Sequence, residues 1–424
     1  MLTRGLSLDQ APPLLVPLRF FLTAPWYLVA AGLLLAWEGA AGLNSRWTPD
    51  ALALTHLISL GFCTQIMFGA MLQLLPVLAG ARVPAVLALG RAVHVLLNLG
   101  TLALVAGLLG LGTPWLAAGG GLLTLAVGLF ASATSVALAR ARGVPPTVRA
   151  LSLGLAALLV TLALGLVLVG AVGGWVPIQE LERWVNLHLG WGLLGWVGLP
   201  LAGLLIELVP MFYITPAYPG PWRDWPPPLT GLLLLTWALA LYLAPAAAGL
   251  PLALAVLLMA GFAVRTLVLS RNRLRPVRDT TLFYLWAGCA ALVGGALTWF
   301  LTTDGVLVGV LILGGVCIAL PSGMLYKIVP FLCWFHLQGQ VLARGRFDRP
   351  LPTMKTFLRE RHARAQGGAY LLGLGLILLG HIWPGPWLNL GGLALAAAAL
   401  GLAFNLSTAL ARYRRELTAL ASLT

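Results

Sequence analysis

Apolar stretches of roughly 20 residues, broken by short segments rich in charge, Pro and Gly, recur along the whole 424-residue chain. A helix of that length crosses the ~30 Å hydrocarbon core of a bilayer. Inside lipid the backbone must satisfy its own hydrogen bonds, so spanning segments are helices or closed barrels. These runs are continuously apolar rather than alternating, which selects helices. Composition agrees: 60% of residues are hydrophobic and 9% charged, against roughly 25% charged in soluble domains, and the mean hydropathy is +0.95. A water-soluble enzyme is excluded.

Twelve spans are predicted, near residues 18–37, 51–79, 84–110, 114–139, 148–172, 184–214, 229–245, 249–270, 281–301, 305–336, 368–384 and 387–411. The expected class is an all-α polytopic membrane protein, one integral membrane domain over residues 1–424. Met1–Pro17 holds Asp9 and paired prolines instead of a basic start leading into a short apolar run, so no cleavable signal peptide is expected.

Charge sets the orientation. With both termini cytoplasmic, all but three of the 26 Lys and Arg fall on the cytoplasmic side. The exceptions are Arg46 and Arg183 outside, and Lys327 within a span. Basic loops are retained in the cytoplasm, so twelve spans with N-in and C-in topology are expected, in a bacterial-type inner membrane. The net charge of +14 then faces anionic headgroups, and nucleic acid needs no part as a partner. Residues 337–367 form the one sizeable cytoplasmic loop, basic and partly helical.

A motif repeats within the spans. Gly69-Ala-Met-Leu-Gln73-Leu-Leu-Pro76, Gly203-Leu-Leu-Ile-Glu207-Leu-Val-Pro210 and Gly323-Met-Leu-Tyr-Lys327-Ile-Val-Pro330 share the form Gly-x-x-x-(Gln/Glu/Lys)-(Leu/Ile)-(Leu/Val)-Pro. The prolines are 134 and then 120 residues apart, four spans each time. Three four-helix pseudo-repeats follow, near 18–139, 148–270 and 281–411. The polar residue of each motif can reach backbone groups freed by its proline or face a partner across a pseudo-threefold axis. Glu207 and Lys327, opposite in charge at equivalent depth, could pair, line a proton or anion path, or snorkel to the surface. His56 and His188 precede their prolines by 20 and 22 residues, about 30–33 Å of helix, so both imidazoles belong to the outer layer. The third unit has Val308 and Val310 at those offsets.

These residues resemble the haem–copper oxidase superfamily, whose catalytic subunit is twelve helices in three four-helix arcs. His56, Gly69, Leu74-Leu75-Pro76 and Gly80-Ala81 are similar to the second helix of that fold, where the histidine is a haem ligand. His188 lies where the sixth helix carries a copper-ligand histidine. Pro17-Leu18-Arg19-Phe20-Phe21 and Ile328-Val329-Pro330-Phe331 resemble the NnrS-type haem membrane proteins and related oxidase-like chains. The resemblance covers most of the chain in topology and three short motifs in sequence. It implies haem b, with copper as a second metal, and redox or nitric-oxide chemistry or electron transfer, with a quinol or protein redox partner. The departures are specific: residues 229–245 and 305–315 hold no histidine, so a three-histidine copper centre and a two-haem arrangement do not transfer. Proton-pumping oxygen reduction is not expected.

Histidine is scarce, six in all, and imidazole suits haem iron and copper. His56 and His188 are the leading ligand candidates, and His381 shares their layer. His94 and His336 are further metal candidates, with helix–helix hydrogen bonding as the plainer role of both; His362, among arginines, is a surface residue. Sulfur offers a rival metal site or ordinary packing: Cys63, Met67 and Met71 share one helix face, and Cys317, Met324 and Cys333 lie in the tenth span. Soft ligands of this kind suit Cu(I). A transporter of a metal or small solute, or a non-catalytic subunit or assembly factor docking through 337–367, stand as alternative functions, and homo-oligomerisation is left open.

The orientation has a direct check. Alkaline phosphatase fused after Arg46 or Arg183 is expected to be active and fused after Arg140 or Lys355 inactive; the reverse pattern would invert the topology.

Overall fold

The computed structural model of the chain describes residues 10–80, 82–141, 143–274, 276–345 and 351–421. Arg4, Arg142, Arg275, Arg346 and Arg349 lie outside the described residues. All regular structure among those described is helical, and twelve helices are long and apolar enough to cross a membrane. In chain order they are α1 (Leu15–Glu38), α2 (Pro49–Val77), α3 (Val86–Leu111), α4 (Thr113–Ala139), α5 (Pro146–Val172) and α6 (Leu181–Tyr213). There follow α7 (Pro226–Leu243), α8 (Pro245–Arg271), α9 (Thr280–Leu301), α10 (Gly305–Ala343), α11 (Glu360–Ile382) and α12 (Trp387–Leu420). Each expected span corresponds to one helix. The sequence sets α10, α11 and α12 too short, because apolarity marks the membrane and a helix continues past it into polar residues. Trp37, Trp47, Trp175, Trp225 and Trp383 are exposed at or beyond helix ends, as interfacial anchors are. Trp26 is exposed halfway along α1.

Packing divides the described chain into two compact units. One comprises residues 10–12, Ala70–Val277 and Cys289–Asp304; the other comprises Pro13–Gly69, Arg278–Gly288 and residues from Gly305 onward. In the first, α3 and α4 form a hairpin whose tight connection uses Gly110 and Gly112 at φ +90° and +112°, values that L side chains avoid. In the second, α1 and α12 touch backbone to backbone. A Cβ on Gly32 would lie 2.6 Å from the Ala396 nitrogen, and one on Gly392 would lie 2.4 Å from the Ala36 nitrogen. Lipid tails are as apolar as leucine, so helices in a bilayer associate by such close packing rather than by hydrophobic exclusion.

The three motif-bearing helices share two structural features. Each contains an eight-residue π-helical stretch: Leu57–Thr64 in α2, Trp191–Gly198 in α6 and Val310–Cys317 in α10. These end 12, 12 and 13 residues before Pro76, Pro210 and Pro330. Each motif glycine also packs on the start of the preceding odd-numbered helix in the same way. A Cβ on Gly69 would meet the Pro17 carbonyl and Phe20 Cβ. One on Gly203 would meet the Thr147 carbonyl and Ala150 Cβ, and one on Gly323 the Thr281 carbonyl and Tyr284 Cβ. The partner residues are three apart every time. A further glycine stands eight residues before each motif glycine, at Gly61, Gly195 and Gly315 within the π-helical stretches. A Cβ on Gly61 would lie 2.3 Å from the Tyr27 ring, and one on Gly195 would lie 2.7 Å from Ala157 Cβ. The recurring glycine contacts therefore extend beyond the eight-residue motif.

A side chain at Gly203 would start 2.4 Å from Ala150 Cβ. Gly203→Val is expected to cost about 1–3 kcal/mol and to lower the thermal midpoint of the detergent-solubilised protein. Gly121→Ala, where a Cβ meets nothing within 4 Å, should hold or gain stability.

Candidate functional site

Both leading histidines donate from Nδ1 to a backbone carbonyl. On α2, His56 Nδ1 lies 2.8 Å from the Leu52 oxygen, one turn back. On α6, His188 Nδ1 lies 3.0 Å from the Thr161 oxygen of α5, its ring seated over Gly165, where a Cβ would come within 3.0 Å of the imidazole. A carbonyl only accepts, so Nδ1 carries the hydrogen and Nε2 is the basic nitrogen of the neutral ring. That second-shell bond fixes the tautomer and raises ligand basicity in metal-binding histidines. His56 immediately precedes its π-helical stretch and His188 precedes its own by three residues. Segments of this kind often lie at functional sites. Both side chains are half-buried, and their donor chemistry fits an axial ligand.

The other candidates disperse. His336 on α10 donates to the Leu332 carbonyl at 2.9 Å and meets the Phe335 ring edge-on. His94 lies half-buried on α3, where its carbonyl accepts from Asn98, and His381 ends α11 half-buried. His362 packs on the Phe404 ring, with centroids 6.0 Å apart. Among the described residues no three His, Cys, Asp or Glu side chains gather as a metal-binding group. An apolar cavity of about 120 Å³ is lined by α1, α2 and α10–α12, with Arg46, Thr55 and Tyr370 as its polar contributions. No histidine lines it, and its volume is below the roughly 300 Å³ at the lower end of small-molecule sites. A tetrapyrrole does not fit there.

The motif's polar residues take three different roles. Lys327 pairs with Asp279, just before α9. Glu207 accepts from the Thr147 hydroxyl at 3.3 Å. Gln73 is buried with no partner for Oε1. Asp279 also accepts from the Leu282 amide and the Thr281 hydroxyl, capping α9. Beside it Glu360 accepts from the Thr280 amide and hydroxyl, both at 2.8 Å. Burial pulls the Asp279 carboxyl upward, but the bonds from Lys327 and Thr281 outweigh it and hold the group below the usual carboxylate range.

Some polar groups lay beyond the reach of sequence reasoning. Tyr284 and Tyr326 both donate to Gln366 Oε1, at 2.7 and 2.9 Å, and Asn405 donates to the Tyr326 hydroxyl, tying α9–α12 together. Tyr370 donates to the Gly314 carbonyl at 2.8 Å, within the π-helical stretch of α10. Gln65 is fully buried with neither amide atom partnered. An amide side chain inside an otherwise apolar span was the available signal. The structure also gathers sulfur: the Cys63 thiol donates to Met67 Sδ at 3.7 Å, and the π-helical stretches that carry Cys63 and Cys317 pack on each other.

No protein-family model matches the chain, and comparison with curated proteins finds no match.

Removing one partner of a largely buried ion pair costs on the order of 3 kcal/mol, the loss expected for Asp279→Asn. Because the folded carboxyl ionises more readily than a free one, its stabilisation is complete above about pH 4. It drains away as pH falls through the lower folded value. Thermal stability of the wild type should fall below that pH, and Asp279→Asn should flatten that part of the profile.

Proposed function

We propose that this chain is a haem-binding integral membrane protein, built as three four-helix repeats and serving redox or nitric-oxide-related chemistry. The observation that carries the reading is the shared state of His56 and His188. Each is a half-buried imidazole beside a π-helical stretch, with Nδ1 anchored to a carbonyl and Nε2 left basic. His56 would hold the haem, and His188 would serve a second metal or a second haem. A bound haem would supply one-electron chemistry and diatomic-gas binding. The protein's part is to fix the ring tautomers, through Leu52 and Thr161, and to limit solvent access by placing both rings in apolar spans. The three-repeat architecture is supported by the recurrent contacts of Gly69, Gly203 and Gly323. A b-type haem, copper as a second metal, a quinol or protein electron donor, and N-in and C-in topology in an inner membrane extend the same reading. The nitric-oxide role rests on resemblance to the NnrS-type proteins and on nothing else.

The test is an absorption spectrum of protein expressed with ample haem and purified in detergent, recorded oxidised and dithionite-reduced. A Soret band with sharp reduced α and β bands is expected, lost or shifted to high spin in folded His56→Ala. His188→Ala should then alter the spectrum or the haem content. A monodisperse, colourless wild type would overturn the haem reading and leave transport as the leading alternative.

A further inference from the structure

Three sulfur atoms meet inside the apolar part of the second unit. Cys63 is the seventh residue of the α2 π-helical stretch and Cys317 the last of that in α10. The wider turn of each stretch shifts the side chains that follow relative to an ordinary helix, and the two stretches pack on each other, bringing the Cys63 and Cys317 thiols into interaction. Met67, one turn beyond Cys63, places Sδ 3.7 Å from the Cys63 sulfur. All three side chains are essentially inaccessible. We propose that Cys63, Met67 and Cys317 form a binding site for one Cu(I) ion, independent of the haem reading.

Spacing, softness and charge each bear on this. Two sulfurs at roughly the 2.3 Å metal–thiolate length known for zinc, about a trigonal centre, stand ~4 Å apart; the observed 3.7 Å is close to that before any metal arrives. Thiolate and thioether ligands select Cu(I) over harder divalent ions. On binding, the Cys63 S–H bond breaks, a Cu–S bond forms and the thiol proton leaves. One positive ion with one thiolate, one thioether and the intact Cys317 thiol is neutral, the state that a low-dielectric interior tolerates. No electron is transferred.

A cavity lies beside the π-helical stretch of α10. The 120 Å³ cavity runs to Gly314 and Ile318, the latter next to Cys317, and is lined by Arg46, which stacks on Trp47 at 4.6 Å.

The experiment titrates Cu(I) into anaerobic, reduced full-length protein in detergent against bathocuproine disulfonate, followed by X-ray absorption. One equivalent retained with a sulfur-only shell is expected. Cys317→Ser and Met67→Leu should weaken retention at least tenfold, and Cys289→Ser and Cys333→Ser should leave it unchanged. Failure of the monodisperse wild type to retain copper would overturn the proposal, as would retention unchanged in the Cys63→Ser, Cys317→Ser double variant. Should that variant not fold, the wild-type spectrum decides, since a nitrogen-containing shell would place the metal on histidine.

Discussion

Hydrocarbon offers the polypeptide backbone no hydrogen-bonding partner, and much of the detail in this structure follows from how that demand is met where helices depart from ideal geometry. Three helices carry eight-residue π-helical stretches and interior prolines, both of which disturb the regular ladder. Side chains answer locally. Tyr370 bonds the Gly314 carbonyl, Thr147 bonds the Gly203 carbonyl, and Asn389 reaches across to the Ala36 carbonyl. Thr101, Thr134 and Thr266 return their hydroxyls to carbonyls one turn back. The imidazoles of His56 and His188 also donate to backbone carbonyls, from Nδ1.

Close approach of helices is the second consequence. With no water to exclude between apolar helices, attraction depends on contact distance, so glycine marks the crossings. The equivalent contacts of Gly69, Gly203 and Gly323 set where each motif-bearing helix crosses its neighbour. That crossing fixes the depth of the π-helical stretches, and hence of His56, His188 and the two cysteines. Polar groups that remain are handled in networks: the tyrosines meeting at Gln366, and Lys327 with Asp279 at the start of α9. An unpaired charge at that depth would be costly.

Legibility differed sharply between fold and site. Spans are long and their apolarity is a local property, so all twelve could be read, with ends set short where α10, α11 and α12 run on into polar residues. The motif was read at its proline end, whereas its glycines at 61, 195 and 315 gained meaning only from the contacts they make. The site was harder. Nothing local distinguishes His56, anchored to its own helix, from His336, anchored in the same manner. Pairing of Glu207 with Lys327 was open from charge and depth. Lys327 in fact meets Asp279, a residue whose role depends on the chain entering α9 beside α10.

By itself the sequence determined the solvent, the secondary structure and the number of spans, because hydrophobicity and backbone satisfaction act residue by residue along the chain. It also carried the recurrence of a glycine–proline motif. Only the tertiary structure decided which groups meet. The stretches carrying Cys63 and Cys317 came together across more than 250 positions, Tyr284 found Gln366, and the described chain packs as two compact units. Those outcomes depend on helix crossings set by the combined packing of many small residues, and no single stretch of sequence encodes them.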